Sequence, residues 1–139
     1  MIKKIDHIGV AVQDIEKSVH LFRDLLGIPL EKVYESEAIK TKIAFFPLGD
    51  STIELIEPMN PASPAAKFIQ KRGEGIHHIC LGVENVEAAL SEFAAKGIEL
   101  LDQKPRRTQD GRLIAFLNPK STNGVLIELM EIGPESVGE

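Results

Sequence analysis

The chain has 139 residues, 43% of them hydrophobic and 27% charged, which is an ordinary globular mix with room for one compact domain. Its formal net charge of −5 argues against a general nucleic-acid binder, and no apolar run approaches the roughly 20 residues of a membrane span. Cys80 is the only cysteine, so an internal disulfide is excluded and a soluble, cytoplasmic protein is the expectation.

In chain order, alternating apolar residues predict a strand from Ile5 to Val12. Asp14 then offers a good N-cap, and Ile15, Val19, Phe22 and Leu26 follow at helical spacing up to Gly27, where a C-cap belongs. Three further strands are predicted near 30–35, 40–47 and 51–57. Pro58 to Pro61 break the pattern, and Ser63-Pro64 open a short linker helix near 63–72 that Gly73 stops. The grammar then starts again: a strand from Ile76 to Val83, Asn85 as N-cap, and Val86, Leu90 and Phe93 at helical spacing before Gly97. Strands near 98–102, 112–117 and 124–131 complete the second copy.

The two copies align as a repeat. His7-Ile8-Gly9-Val10-Ala11-Val12 lies over His78-Ile79-Cys80-Leu81-Gly82-Val83 at an offset of 78 − 7 = 71. Ile43-Ala44-Phe45-Phe46 lies over Ile114-Ala115-Phe116-Leu117 at the same offset, and Ile53-Glu54-Leu55-Ile56-Glu57 over Ile127-Glu128-Leu129-Met130-Glu131 at 74. Several blocks in one order imply a duplication. The expected fold is α+β, with two tandem βαβββ modules (1–57 and 74–132) in a single domain over 1–139, their curved mixed sheets forming one metal-binding cleft.

Side chains of a strand alternate between two faces. One predicted face carries Ile8, Val10, Val12, Ile43, Phe45, Ile53 and Leu55, with Ile79, Leu81, Val83, Ile114, Phe116, Ile127 and Leu129 in the second copy, and is assigned to helix packing. The other carries His7, Gly9, Ala11, Ala44, Glu54, His78, Cys80, Gly82, Ala115 and Glu128, small residues interleaved with four potential metal ligands. Small residues there are read as leaving room for a substrate. His7 and His78 are repeat mates, as are Glu54 and Glu128. Two nitrogens with carboxylate oxygens suit Zn, Co, Ni or Mn, and such an ion serves as a Lewis acid. His20 and His77 lack histidine mates and are assigned to structure or surface; Cys80 reads as a small buried hydrophobe. Glu57 and Glu131 fall off the ligand face and are expected to be solvated.

At this level of detail the chain resembles the vicinal-oxygen-chelate superfamily of glyoxalase I, extradiol dioxygenases and methylmalonyl-CoA epimerases, over nearly its whole length. Within it the chain is most similar to the epimerases, through Ile5-Asp6-His7-Ile8-Gly9-Val10-Ala11-Val12, Ser63-Pro64-Ala65-Ala66-Lys67-Phe68-Ile69, Lys71-Arg72-Gly73-Glu74-Gly75-Ile76-His77-His78-Ile79 and the ending Pro119 to Leu129. The departures are Glu54 where epimerases often carry Gln, Lys42 where some carry an acid–base Glu, the Thr108-Gln109-Asp110-Gly111 turn, and Asn118 where His usually precedes Pro-Lys.

The resemblance implies a homodimer with one divalent cation per chain, Co2+ first among the candidates, held by His7, Glu54, His78 and Glu128. It implies a coenzyme A thioester as substrate, inverted at C2 by proton transfer through an enediolate. Glu128, Glu54 and Lys42 are the candidates for moving the proton, with Lys42 expected on the ligand face. Coenzyme A phosphates would meet Lys71, Arg72, Arg106 and Lys120, with Lys67, Lys104 and Arg107 nearby in sequence. Glyoxalase I, which shares the two-His, two-Glu pattern, and a non-catalytic binding module of the same fold are the alternatives.

Overall fold

A computed structural model of the protein describes residues 1–133. The elements run β1 (Ile2–Ala11), α1 (Ile15–Val19, continuing as a π-helical stretch His20–Leu25), β2 (Lys32–Ser36), β3 (Thr41–Leu48), β4 (Ser51–Pro58) and α2 (Pro64–Arg72). After α2 come β5 (Gly75–Val83), α3 (Val86–Ala95), β6 (Arg106–Arg107), β7 (Leu113–Phe116) and β8 (Ile127–Glu131), with a 3-10 turn at Pro119–Ser121. Among the described residues, no helix is long and apolar enough to cross a membrane.

These residues cluster into two compact units: His7–His77, and Met1–Asp6 together with the chain from His78 onward. In the first, the strand order is β2-β3-β4-β1, with β4 parallel to β1 and antiparallel to β3. In the second it is β5-β8-β7-β6, with β8 parallel to β5 and antiparallel to β7. Each is therefore a βαβββ module whose last strand returns beside its first, as the repeat predicts. Strand β1 is shared, its first residues belonging with the second unit.

Local chemistry sets the helix ends. The Asp14 carboxylate accepts the Lys17 N–H at 3.2 Å, and the Asn85 side chain accepts the Ala88 N–H at 2.8 Å. Ser63 caps α2, where Pro64 takes the first position and so withholds only an N–H that the helix leaves unpaired. Gly27 (φ 77°) and Gly97 (φ 92°) adopt the left-handed conformation that ends the first helices of the two modules.

One sheet face of each unit buries its helix. Val12, Ile15, Val19, Ala44, Phe46 and Leu55 form the core under α1, and Val83, Val86, Ala89, Leu90, Ala115, Leu117 and Leu129 form its counterpart under α3. This reverses the predicted phase of β3 and β7. Opposed residues of an antiparallel pair share a face, and Ala44 opposes Leu55 while Ala115 opposes Leu129. Ala44 and Ala115 therefore lie in the helix-side cores, and Ile43, Phe45, Ile114 and Phe116 lie on the ligand face. The runs Ile43–Phe46 and Ile114–Leu117 are apolar at every position, so alternation carries no phase there, and an alanine lets a helix approach the sheet closely.

The small residues of the ligand face also have a packing role. Ala11 is buried with Ile56 beneath Ala65, Phe68 and Ile69 of α2. At its repeat mate Gly82, an added Cβ would lie 3.0 Å from Ile132 Cγ2 and 3.2 Å from Lys4 Cγ. At these two positions smallness serves close contact, not an open cavity. The strand predicted at 98–102 is reduced to one bridge, Leu100 to Leu117, and the edge strand is the two-residue β6.

Candidate active site

Each unit presents one histidine–glutamate pair of the same construction. In the first, β1 and β4 run parallel with Gly9 opposite Glu54, so Glu54 stands two residues along from His7; His7 Nδ1 is 3.3 Å from Glu54 Oε2. In the second, β5 and β8 are parallel with Cys80 opposite Glu128, again two residues beyond the histidine, and His78 Nε2 is 3.3 Å from Glu128 Oε1. Exposure is only 4% for His7, 8% for His78 and 6% for Glu128. Burying a carboxylate is costly unless a donor or a cation compensates it. A cation would fill that role, and His78 and Glu128 are candidate ligands for it.

The neighbouring strand adds a layer that alternation alone missed. Phe45 opposes Glu54 and lies 4.9 Å beneath the Lys32 ammonium. Its repeat mate Phe116 opposes Glu128, meets the His78 ring edge-on at 6.3 Å, and lies 5.5 Å beneath the Arg106 guanidinium. Arg106 is held by Asp102 (Nε to Oδ1, 3.1 Å), and Asp102 also accepts the Phe116 N–H at 2.8 Å. The signal for Phe45 and Phe116 was their shared offset of 71.

Other predicted residues fall elsewhere. Lys42 is on the helix face, opposite Glu57, and lines a groove with Ile15, Val19 and Arg23 beside α1; the ligand-face placement is corrected, because β3 is shifted in phase by one residue. Its ammonium is 3.9 Å from Glu35. His77 stacks edge-on against Phe68 at 5.1 Å, with Arg72 5.8 Å from the same ring, and His20 pairs with Asp24 at 2.8 Å on the surface. Lys71 and Arg72 occupy the last turn of α2, and Lys120 an exposed turn.

Glu57 and Glu131 are not the solvated carboxylates that their alternation suggests. Glu57 Oε2 accepts the N–H of Ile15, the first residue of α1, at 3.2 Å, and Glu131 Oε1 accepts that of Val86, the first of α3, at 3.0 Å. Both anions sit where unpaired helix N–H groups and the helix dipole favour negative charge. The 74-residue offset between them was visible; their partners, over 40 residues away in sequence, were not.

Two βαβββ modules, each with a His–Glu pair on its inner strands, define a glyoxalase-type architecture. Residues 6–116 match the Glyoxalase/Bleomycin resistance protein/Dioxygenase superfamily. The ethylmalonyl-CoA/methylmalonyl-CoA epimerase of Cereibacter sphaeroides is 33% identical over 134 residues, covering 95% of this chain and 100% of the relative. The mitochondrial methylmalonyl-CoA epimerase of Mus musculus is 35% identical over 127 residues, covering 91% of this chain and 71% of that one. The solved structure of a variant of the Streptomyces coelicolor methylmalonyl-CoA epimerase, in complex with 2-nitronate-propionyl-CoA, superposes with a TM-score of 0.86 at 33% identity, over 96% of this chain and 97% of that one. The chain belongs to this superfamily and, within it, to the methylmalonyl-CoA epimerases.

Proposed function

We propose that the protein interconverts the two C2 epimers of methylmalonyl-CoA, with one divalent cation held by His7, Glu54, His78 and Glu128. The observation that carries this reading is the duplicated His–Glu pair, 3.3 Å apart in each unit, in a chain of the epimerase family. The donor set fits the cation: two imidazole nitrogens and two carboxylates are what Co2+, Zn2+, Ni2+ or Mn2+ accept. Such a cation would supply Lewis-acid stabilisation of the negative charge that grows on the thioester and carboxylate oxygens as the C2 proton leaves.

The chain's own residues move the proton. Glu128, buried between the His78 ring and Phe116, is the first acid–base candidate, and Glu54 in the other unit is the second. Lys42 takes no part, because it projects from the opposite face of its strand. Phosphates of coenzyme A are assigned to Lys71, Arg72, Arg106 and Lys120, all exposed cations.

The test is solvent exchange. Protein loaded with Co2+ is incubated with methylmalonyl-CoA in deuterium oxide, and deuterium should enter C2 at a catalytic rate. A fully loaded protein that leaves C2 unlabelled would overturn the reading. Turnover of the methylglyoxal–glutathione adduct in its place would move the assignment to glyoxalase I.

A further inference from the structure

We infer that Glu57 and Glu131 are positioning residues that tie each carboxylate-bearing strand to the exit of its histidine-bearing strand. The two copies repeat one spacing. The helix begins eight residues after the histidine (His7 to Ile15, His78 to Val86), and the second glutamate follows three residues after the first (Glu54 to Glu57, Glu128 to Glu131). An odd step of three turns that second side chain to the helix face. There it accepts the first helical N–H, at 3.2 Å in one unit and 3.0 Å in the other. The bond therefore joins β4 to the β1–α1 turn, and β8 to the β5–α3 turn.

Main-chain bonds at the same places, Val12 N–H to Ile56 O and Ile132 N–H to Val83 O, both 2.9 Å, end the parallel pairing. Beyond them the glutamate side chain carries the link from strand to turn. Asp14 and Asn85 cap the same helices, but from within the turn itself, so they hold the helix without reaching the neighbouring strand. Parallel strands advance about 3.3 Å per residue, so even a fractional slide of β8 along β5 would spoil a 3.3 Å His–Glu contact. The glutamate resists that slide, and it does so from the face that carries no proposed ligand.

The inference rests on the metal-binding reading for its consequence, so the test has one readout with metal and one without. Co2+ affinity is measured by chelator competition, and the His78 Nε2 to Glu128 Oε1 separation by crystallography of the metal-free protein. Glu131→Leu should weaken Co2+ binding at least about tenfold, the lower end for losing a group that orients metal ligands. It should also lengthen the 3.3 Å separation and speed hydrogen exchange at the Val86 amide. Glu131→Gln, which keeps an acceptor oxygen, should restore both, and Asn85→Ala should fray the same helix end with little change in either.

Equal loss in Asn85→Ala and Glu131→Leu, or an unchanged Kd and separation in Glu131→Leu, would reduce Glu131 to a helix cap and overturn the inference. Wild-type protein that fails to bind Co2+ would instead sink the metal reading, and the metal-free separation would still decide the positioning role. Should Glu131→Leu not fold, Glu57→Leu with Asp14→Ala as its control poses the same question of the His7–Glu54 pair.

Discussion

Exchanging Leu129 and Ala115 tests the strand phase that places the site. Both are fully buried, they oppose one another across β8 and β7, and they share the core under α3. Leu129→Ala removes a buried side chain from that core and should cost about 3 kcal/mol, within the 2–5 kcal/mol usual for such truncations. For a chain of this length that is about 10 °C in Tm. Ala115→Leu alone overpacks the same space, at about 2 kcal/mol. Combined, the two nearly conserve volume, so the double variant should lose less than about 1.5 kcal/mol, a coupling of at least about 3.5 kcal/mol. Urea denaturation of the four proteins gives the cycle directly, provided the m-values agree. Losses that simply add, to within about 0.5 kcal/mol, would mean that the two side chains occupy different faces. Phe116 would then leave the ligand face, and the layer beside Glu128 would have to be rebuilt.

His78→Ala should abolish Co2+ binding while His77→Ala keeps most of it, because the His77 ring is engaged with Phe68; equal losses by calorimetric titration would refute the phase of β5. Glu128→Gln keeps a ligand oxygen but accepts no proton, so epimerisation should fall at least about a hundredfold with metal occupancy little changed; near-normal turnover would leave Glu128 a ligand only. Reversing charge at Lys71 and Arg72 together should raise KM for methylmalonyl-CoA more at low salt than at high salt, and an unmoved KM at low ionic strength would place the phosphates elsewhere. Asp24 is held at about 2 by its hydrogen bond from Arg23 and then by His20. A lowered carboxylate pKa adds stability that is present above the ordinary Asp range and is lost as pH falls towards about 2; an NMR titration midpoint near 4 would contradict it.

The duplicated modules, the helix caps and the four His and Glu positions were legible because each rests on a pattern that survives at short range: a repeat offset, a capping residue, a polar side chain in an alternating strand. His7, Glu54, His78 and Glu128 each sit in strands whose neighbours alternate cleanly, so their pairing within each unit followed. In β3 and β7 that cue is missing. Lys42, Ala44 and Ala115 were misplaced because every residue around them is apolar or ambiguous, and only cross-strand pairing to Leu55 and Leu129 fixes the face. Glu57 and Glu131 were misjudged for a related reason: a helix N-terminus more than 40 residues away supplies their partner, and no local rule anticipates it. Small side chains misled in a third way. Ala11 and Gly82 invite the idea of empty space, whereas α2 fills it at one and Ile132 and Lys4 at the other.

Strand β1 carries a consequence for anyone who trims or tags this polypeptide. Met1 and the strand's first five residues, Ile2 to Asp6, associate with the unit that begins at His78, where Lys3 pairs with Glu84 at 2.7 Å and the Lys4 stem lies beside Gly82. A lesion at the amino end is therefore felt in the carboxy-terminal half. Removing residues 1–6 shortens the strand that bears His7 and should also loosen the unit that bears His78. By the same logic, splitting the gene in the linker between the two sequence repeats yields a second fragment that lacks the Met1–Asp6 part of its own unit, so the point where the sequence repeat divides is not where the folded protein can be cut.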